Sequence, residues 1–168
     1  MTSPSVLVVE DGHEYTTNLV RFLGDAFAFT RAGDGFAALQ ALGYGAPDAG
    51  RSSETASAPE VSTFGAIFLD MRFDRATRFL GDQAALATRF SGDATRARRF
   101  LEDNQGTYVL AAIREAGCTI PVVFSYDFDG EPRRFRNLVK RYGPLRYLND
   151  AAGPSDMRAA LDAACAGR

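Results

Sequence analysis

Five short apolar runs alternate along this chain with stretches of helical periodicity, and two of them stop abruptly on carboxylates. Val6-Leu-Val-Val runs straight into Glu10 and Asp11, and Ala66-Ile-Phe-Leu runs into Asp70. Runs of four or five aliphatic and aromatic residues are too short for a buried helix. They read instead as central strands of a parallel sheet covered on both faces. In an open parallel sheet, ligands gather at the carboxyl ends of the strands. Glu10, Asp11 and Asp70 are therefore expected at one end of the sheet, where clustered carboxylates suit a hard cation such as Mg2+.

The remaining elements follow by periodicity and punctuation. Tyr15, Leu19, Val20 and Leu23 recur at helical spacing from His13 to a stop at Gly24. Phe27 to Arg31 reads as a second strand, Gly33-Asp34-Gly35 as a turn and Phe36 to Leu42 as a helix. Residues 43–63 are rich in Gly, Ala, Ser and Pro without periodicity, which predicts a flexible loop insertion. Further on, Ile120 to Ser125 and Leu145 to Leu148 read as strands. Arg133 to Tyr142 and Ser155 to Ala166 read as helices, the last capped by Ser155. Strands alternating with helices define an α/β domain, doubly wound around a five-stranded parallel sheet. A length of 168 residues fits one such domain spanning residues 1–168.

Residues 72–104 depart from that alternation. They hold a rough repeat: Arg78-Phe-Leu-Gly-Asp82, Arg89-Phe-Ser-Gly-Asp93 and Arg99-Phe-Leu-Glu-Asp103. Asp82 and Asp93 sit where carboxylates cap helices. The segment is expected to form a helical hairpin insertion, with helices near 83–90 and 94–103 and Phe79, Phe90, Phe100 and Leu101 turned inward. A separate helix then resumes at Thr107. Because this insertion starts two residues after Asp70, it is a candidate lid or docking surface.

Composition removes several function classes. A net charge of -2 offers no general attraction for nucleic acid or an anionic membrane. No apolar run approaches membrane-spanning length, and no signal-peptide pattern opens the chain. Cys118 and Cys165 make neither a disulfide framework nor a zinc motif. A cytoplasmic protein is the economical expectation. His13, the single histidine, lacks a catalytic partner motif. Asp127-Phe-Asp129-Gly-Glu131 lacks the further ligands of a calcium loop and reads as a polar turn.

The order of these elements, with these residues at the strand ends, resembles the receiver domain of bacterial two-component response regulators, a flavodoxin-like fold. The resemblance spans nearly the whole chain apart from residues 43–63 and 72–104. It implies that Glu10 and Asp11 are the acidic metal pair and Asp70 the phosphoacceptor. It also implies that Ser125 is the hydroxyl contacting the acyl phosphate, and that Tyr147 is the switch aromatic. Mg2+ would bind Asp11, Asp70 and the backbone carbonyl of Arg72, with Glu10 acting through a metal-bound water.

The implied function is a stand-alone, atypical receiver in signal transduction, not an enzyme. It would act on a protein partner: a histidine kinase, a scaffold or motility component, another receiver, or a second copy in a homodimer.

One position departs from the family pattern. Where receivers carry a lysine three residues after the switch aromatic, this chain has Asp150. Exchanging an ammonium for a carboxylate ~5 Å from a phosphoryl group changes the interaction by several kcal/mol at an effective dielectric of ~20. Phosphorylation is then expected to be impaired, unless Arg72 or Arg133 supplies the charge. Two alternatives follow: a phosphorylation-independent pseudo-receiver scaffold, or a Mg2+-dependent phosphatase or phosphotransferase with Asp70 as nucleophile. The second is disfavoured, because such enzymes want an aspartate where Arg72 stands.

Overall fold

A computed structural model describes residues 3–44 and 63–167. Apart from Gly43, Tyr44 and Thr63, the predicted 43–63 loop lies outside the described residues. The elements run β1 (Ser5–Val9), α1 (Glu14–Leu23), β2 (Ala28–Ala32), α2 (Gly35–Ala41), β3 (Ala66–Asp70), α3 (Gln83–Arg89) and α4 (Ala94–Glu115). They continue with β4 (Val122–Ser125), α5 (Pro132–Tyr142), β5 (Leu145–Leu148) and α6 (Pro154–Ala166).

All pairings are parallel, and the sheet order is β2-β1-β3-β4-β5. This is the doubly wound arrangement expected from the sequence. Its cause is visible in the side-chain alternation. Val6, Val8, Ala66 and Phe68 pack with Leu19, Leu23, Leu161 and Ala164 of α1 and α6. Leu7, Val9, Ile67 and Leu69 face the other way, onto Ala38 of α2 and Val109, Leu110 and Ile113 of α4. With both faces covered, the inner strands have no polar face to show, so they read as unbroken apolar runs. The edge strands β2 and β5 are only partly buried. No helix among the described residues is long and apolar enough to cross a membrane.

Asp82 and Asp93 do cap α3 and α4, accepting from the amides of Ala85 and Arg96 at 2.9 Å each. Phe90 and Phe100 pack ring to ring at 5.6 Å beside the buried Leu86, Ala97 and Leu101. The hairpin's second helix does not end near residue 103, however. α4 is continuous over 22 residues and includes the segment from Thr107. Ala97, Leu101, Gln105 and Val109, spaced four apart, form one buried stripe along it.

Gly106, in the gap expected between the helices near 94–103 and from Thr107, sits inside α4, where the loop after β3 crosses the helix at contact distance. The Gly106 amide donates to the Met71 carbonyl at 3.0 Å, and the Phe73 amide donates to the Glu102 carbonyl at 2.8 Å. The last helix also differs from expectation. Its cap is Gly153, whose amide donates to the Asp156 carboxylate at 2.9 Å, and Ser155 lies inside the first turn.

Candidate functional site: the acidic end of the sheet

β1 ends at Val9 and pairs with β3 through Val9↔Leu69, so Glu10 and Asp11 emerge beside Asp70. Asp70 pairs in turn with Ser125 across β3 and β4. The sheet thus brings Glu10, Asp11, Asp70 and Ser125 to one end, as the strand pattern requires. What each side chain does there is specific to this chain.

Glu10 is buried, at 1% exposure. Its carboxylate accepts from the amides of Tyr15 (3.1 Å) and Thr16 (2.7 Å), and from the Thr16 hydroxyl (2.7 Å). Those amides are the second and third of α1, which His13, at the cap position, leaves without a side-chain acceptor. Glu10 therefore caps α1 from the preceding strand end.

Asp11 is engaged by the loop between β3 and α3. Its Oδ2 accepts from the amides of Arg75 (2.6 Å) and Ala76 (3.1 Å). Arg75 then pairs with Glu14 at 2.6 Å. That hydrogen bond is the main reason Glu14 is held down at about 2, from 4.5. Arg31 fixes the other side of the turn, donating to the carbonyls of Gly12 (2.5 Å) and Asp11 (3.2 Å).

Asp70 accepts from the amides of Met71 (2.7 Å) and Arg72 (3.4 Å). Burial nevertheless raises its pKa to about 7, with the charges of Asp11 and Glu10 adding to the rise and the two amides opposing it. The Tyr15 hydroxyl joins the same cluster. Burial raises its pKa, opposed by the Ser125 hydroxyl and aided by the charges of Asp70, Glu10 and Asp150. The Tyr15 ring rests on Phe68, centroids 5.6 Å apart.

Tyr147 is held outside this cluster. It packs edge-on against Phe128 and Phe135 (5.5 and 4.7 Å) and donates its hydroxyl to Asp129 at 2.6 Å. Asn149 donates to the other oxygen of Asp129, while the Asp127 carboxylate accepts from the Asp129 amide. Glu131 is taken by Tyr126 and Arg134. The acidic loop is thus a polar turn built around Tyr147.

No arginine replaces the missing cation in the way the sequence suggested. Arg72 pairs with Asp103 at 3.1 Å, and Arg133 lines a groove along α5. The cations that do reach the acidic end are Arg75 and Arg31, neither of which was singled out from the sequence.

Part of the expected metal-binding set is already engaged by hydrogen-bond donors. Both oxygens of Glu10 are engaged by donors from α1. Asp11 Oδ2 accepts two amides, as many as its lone pairs allow. Among the described residues, no three Asp, Glu, His or Cys side chains are gathered to hold a metal.

Tyr15, Arg31, Arg75, Gln105 and Gly106 are the site residues that sequence reasoning missed. Gln105 is buried, and it clamps Leu80 by accepting from its amide (2.7 Å) and donating to its carbonyl (3.0 Å). With Gly106 against Met71, it fixes both ends of the loop that reaches Asp11. A glycine inside a helical pattern was the available signal, since it often marks a close backbone approach.

The described architecture is the response-regulator receiver fold, a five-stranded parallel sheet in the order β2-β1-β3-β4-β5. The receiver domain of a Francisella response regulator superposes with a TM-score of 0.60 at 14% identity, covering 98% of both chains. The receiver domain of NtrX from Brucella abortus gives 0.60 at 16% identity, covering 97% of this chain and 99% of that one. A structure described as adenylate cyclase from Rhodopirellula baltica gives 0.61 at 19% identity, covering 98% and 89%. At these identities the likeness is one of fold. Neither a family model nor a curated protein matches the sequence.

Proposed function

We propose that this protein is a receiver-fold signalling module that acts in the cytoplasm by protein–protein contact, without phosphoryl transfer through Asp70 and without turnover of its own. The observation that carries this reading is the occupation of Asp11 by the amides of Arg75 and Ala76, under the Arg75–Glu14 ion pair. A phosphoryl site built on Asp11 and Asp70 would compete with that loop for Asp11 Oδ2. Asp150, where receivers place a lysine, offers an incoming phosphoryl group repulsion instead of attraction. Of the readings open from the sequence, the phosphorylation-independent scaffold accounts best for both features.

The test is direct. Incubated with Mg2+ and acetyl phosphate, the protein should gain no mass. With Mg2+ and beryllofluoride, its amide spectrum around Asp70 and Tyr147 should not move. An adduct that forms on the wild type and vanishes in Asp70→Asn would overturn the reading. Hydrolysis of phosphate esters dependent on Asp70 would favour the phosphatase alternative.

A further inference from the structure

Helix α5 differs from the other helices in two respects. None of its residues is buried, although Phe135, Leu138 and Tyr142 lean on the core. It also carries Arg133, Arg134, Arg136, Lys140 and Arg141 with no acidic residue, in a chain whose net charge is -2. Along one flank lies a groove of about 590 Å³, lined chiefly by Arg133, Arg134, Asn137, Leu138, Arg141 and Tyr142, and also by Glu131, whose carboxylate is already held by Tyr126 and Arg134.

The lining residues at 134, 137, 138 and 141 form one strip at i, i+3, i+4 and i+7. Arg134 reaches from that strip to Asn104 of α4 at 2.8 Å. The groove therefore lies on the α4 side of α5, away from the Phe135–Tyr147 contact.

The cations of this flank have different tasks. Arg134 is spent on structure, held by Glu131 and Asn104 and stacked over Tyr126 and Phe128. Arg141 stacks over Tyr142 at 5.0 Å, leaving its guanidinium edges open to acceptors. No hydrogen bond, ion pair or ring contact among the described residues engages Arg133. Arg133 and Arg141 stand about 12 Å apart along the helix axis, with Asn137 and Leu138 between them. An extended peptide covers that span in about four residues. Two carboxylates at that spacing would meet the two guanidiniums, and an apolar side chain between them would cover Leu138 and Tyr142.

We propose that the α5 groove is the docking site for an acidic segment of a partner protein, extended along α5 with carboxylates on Arg133 and Arg141 and an apolar anchor on Leu138. Nucleic acid is disfavoured because the groove floor is partly apolar. The cations of the neighbouring hairpin are also interleaved with Glu102 and Asp103, which breaks any continuous basic track. The inference deepens the contact-module reading and rests on it.

The test uses the full chain and a fluorescein-labelled peptide with the repeat Glu-Ser-Leu-Ser-Glu, which places its carboxylates and its apolar side chains on one face of an extended chain. Fluorescence anisotropy should rise to saturation with wild type. Affinity should fall about tenfold or more in Arg133→Glu/Arg141→Glu and severalfold in Leu138→Ala, and Arg99→Glu on the hairpin should leave it unchanged. Arg133 and Arg141 are exposed, so circular dichroism should show the double variant folded.

No binding by wild type, or equal binding by the double variant, overturns the proposal. An oligonucleotide of equal charge that binds as tightly as the peptide, indifferent to Leu138→Ala, overturns the choice of partner. Failure here, with beryllofluoride still inert, would refute the groove alone. A beryllofluoride response would refute the contact-module reading.

Discussion

Replacing Gly106 by alanine should destabilise the protein, although alanine in a helix interior normally gains about 1 kcal/mol over glycine. A Cβ at this position would lie 2.4 Å from the Asp70 carbonyl oxygen and 2.8 Å from the Met71 Cα, both backbone atoms that cannot rotate away. The loop would have to withdraw from α4. Overpacking of this kind costs about 1–3 kcal/mol. The two hydrogen bonds joining the loop to Glu102 and Gly106 are worth about 1 kcal/mol each. Set against the helical gain, the net loss is about 2–4 kcal/mol, or roughly 5–15 °C in Tm for a chain of this size. Urea and thermal unfolding followed by circular dichroism would measure it. Gly130→Ala, whose Cβ meets nothing within 4 Å, serves as the control and should stay within about 0.5 kcal/mol of wild type. A Gly106→Ala protein as stable as wild type, or more so, would refute the claim that the loop is locked onto α4.

Asp70→Asn should raise stability, and more so as pH rises. The folded pKa of about 7 lies above the usual 3.8, so the native state holds a proton that the unfolded state releases. Wild-type stability therefore falls from about pH 4 to pH 7 and stays low above that window. The variant should lead by on the order of 4 kcal/mol at pH 8 and by little at pH 4; a lead constant across pH would contradict the burial argument. Gln105→Leu keeps the side-chain volume but leaves the Leu80 amide and carbonyl without their partner. It should cost about 2–3 kcal/mol and speed hydrogen exchange at the Arg75 and Ala76 amides, and unchanged exchange there would show that the loop does not depend on this clamp.

The strands were legible because a sheet covered on both faces leaves an apolar signature that loops and helices do not share. The ends of β1 and β3 were legible for the same reason, since the signature stops where the sheet stops. What could not be read was how the carboxylates are spent. Glu10 and Asp11 look like free ligands in sequence, and only the chain path shows that α1 and the β3–α3 loop supply their hydrogen-bond donors. Tyr147 was found by its place on β5. Its lock, Asp129, belongs to a loop whose acidic residues gave no sign of pointing toward it. The arginines were least legible, because a long flexible side chain takes its partner from tertiary proximity, and neither Arg75–Glu14 nor Arg78–Asp34 is local in sequence.

The hairpin and the acidic end, which appear in sequence as rival seats of function, are mechanically one unit. α4 carries Gln105 and Gly106 side by side. The first clamps Leu80 and the second admits Met71, so the loop from Met71 to Leu80 is pinned at both ends to one rigid helix. Between those pins the loop has only a short path, and that path presents the Arg75 and Ala76 amides to Asp11. The buried Met71 and Phe73 hold the near end of the loop in the core. Freeing Asp11 for another ligand therefore requires more than breaking the exposed Arg75–Glu14 pair, which contributes little in water. It requires lifting a segment anchored by buried side chains and by the Gln105 clamp. Any displacement of α4 relative to β3 would act on that anchor directly, so the hairpin helix and the acidic end move together.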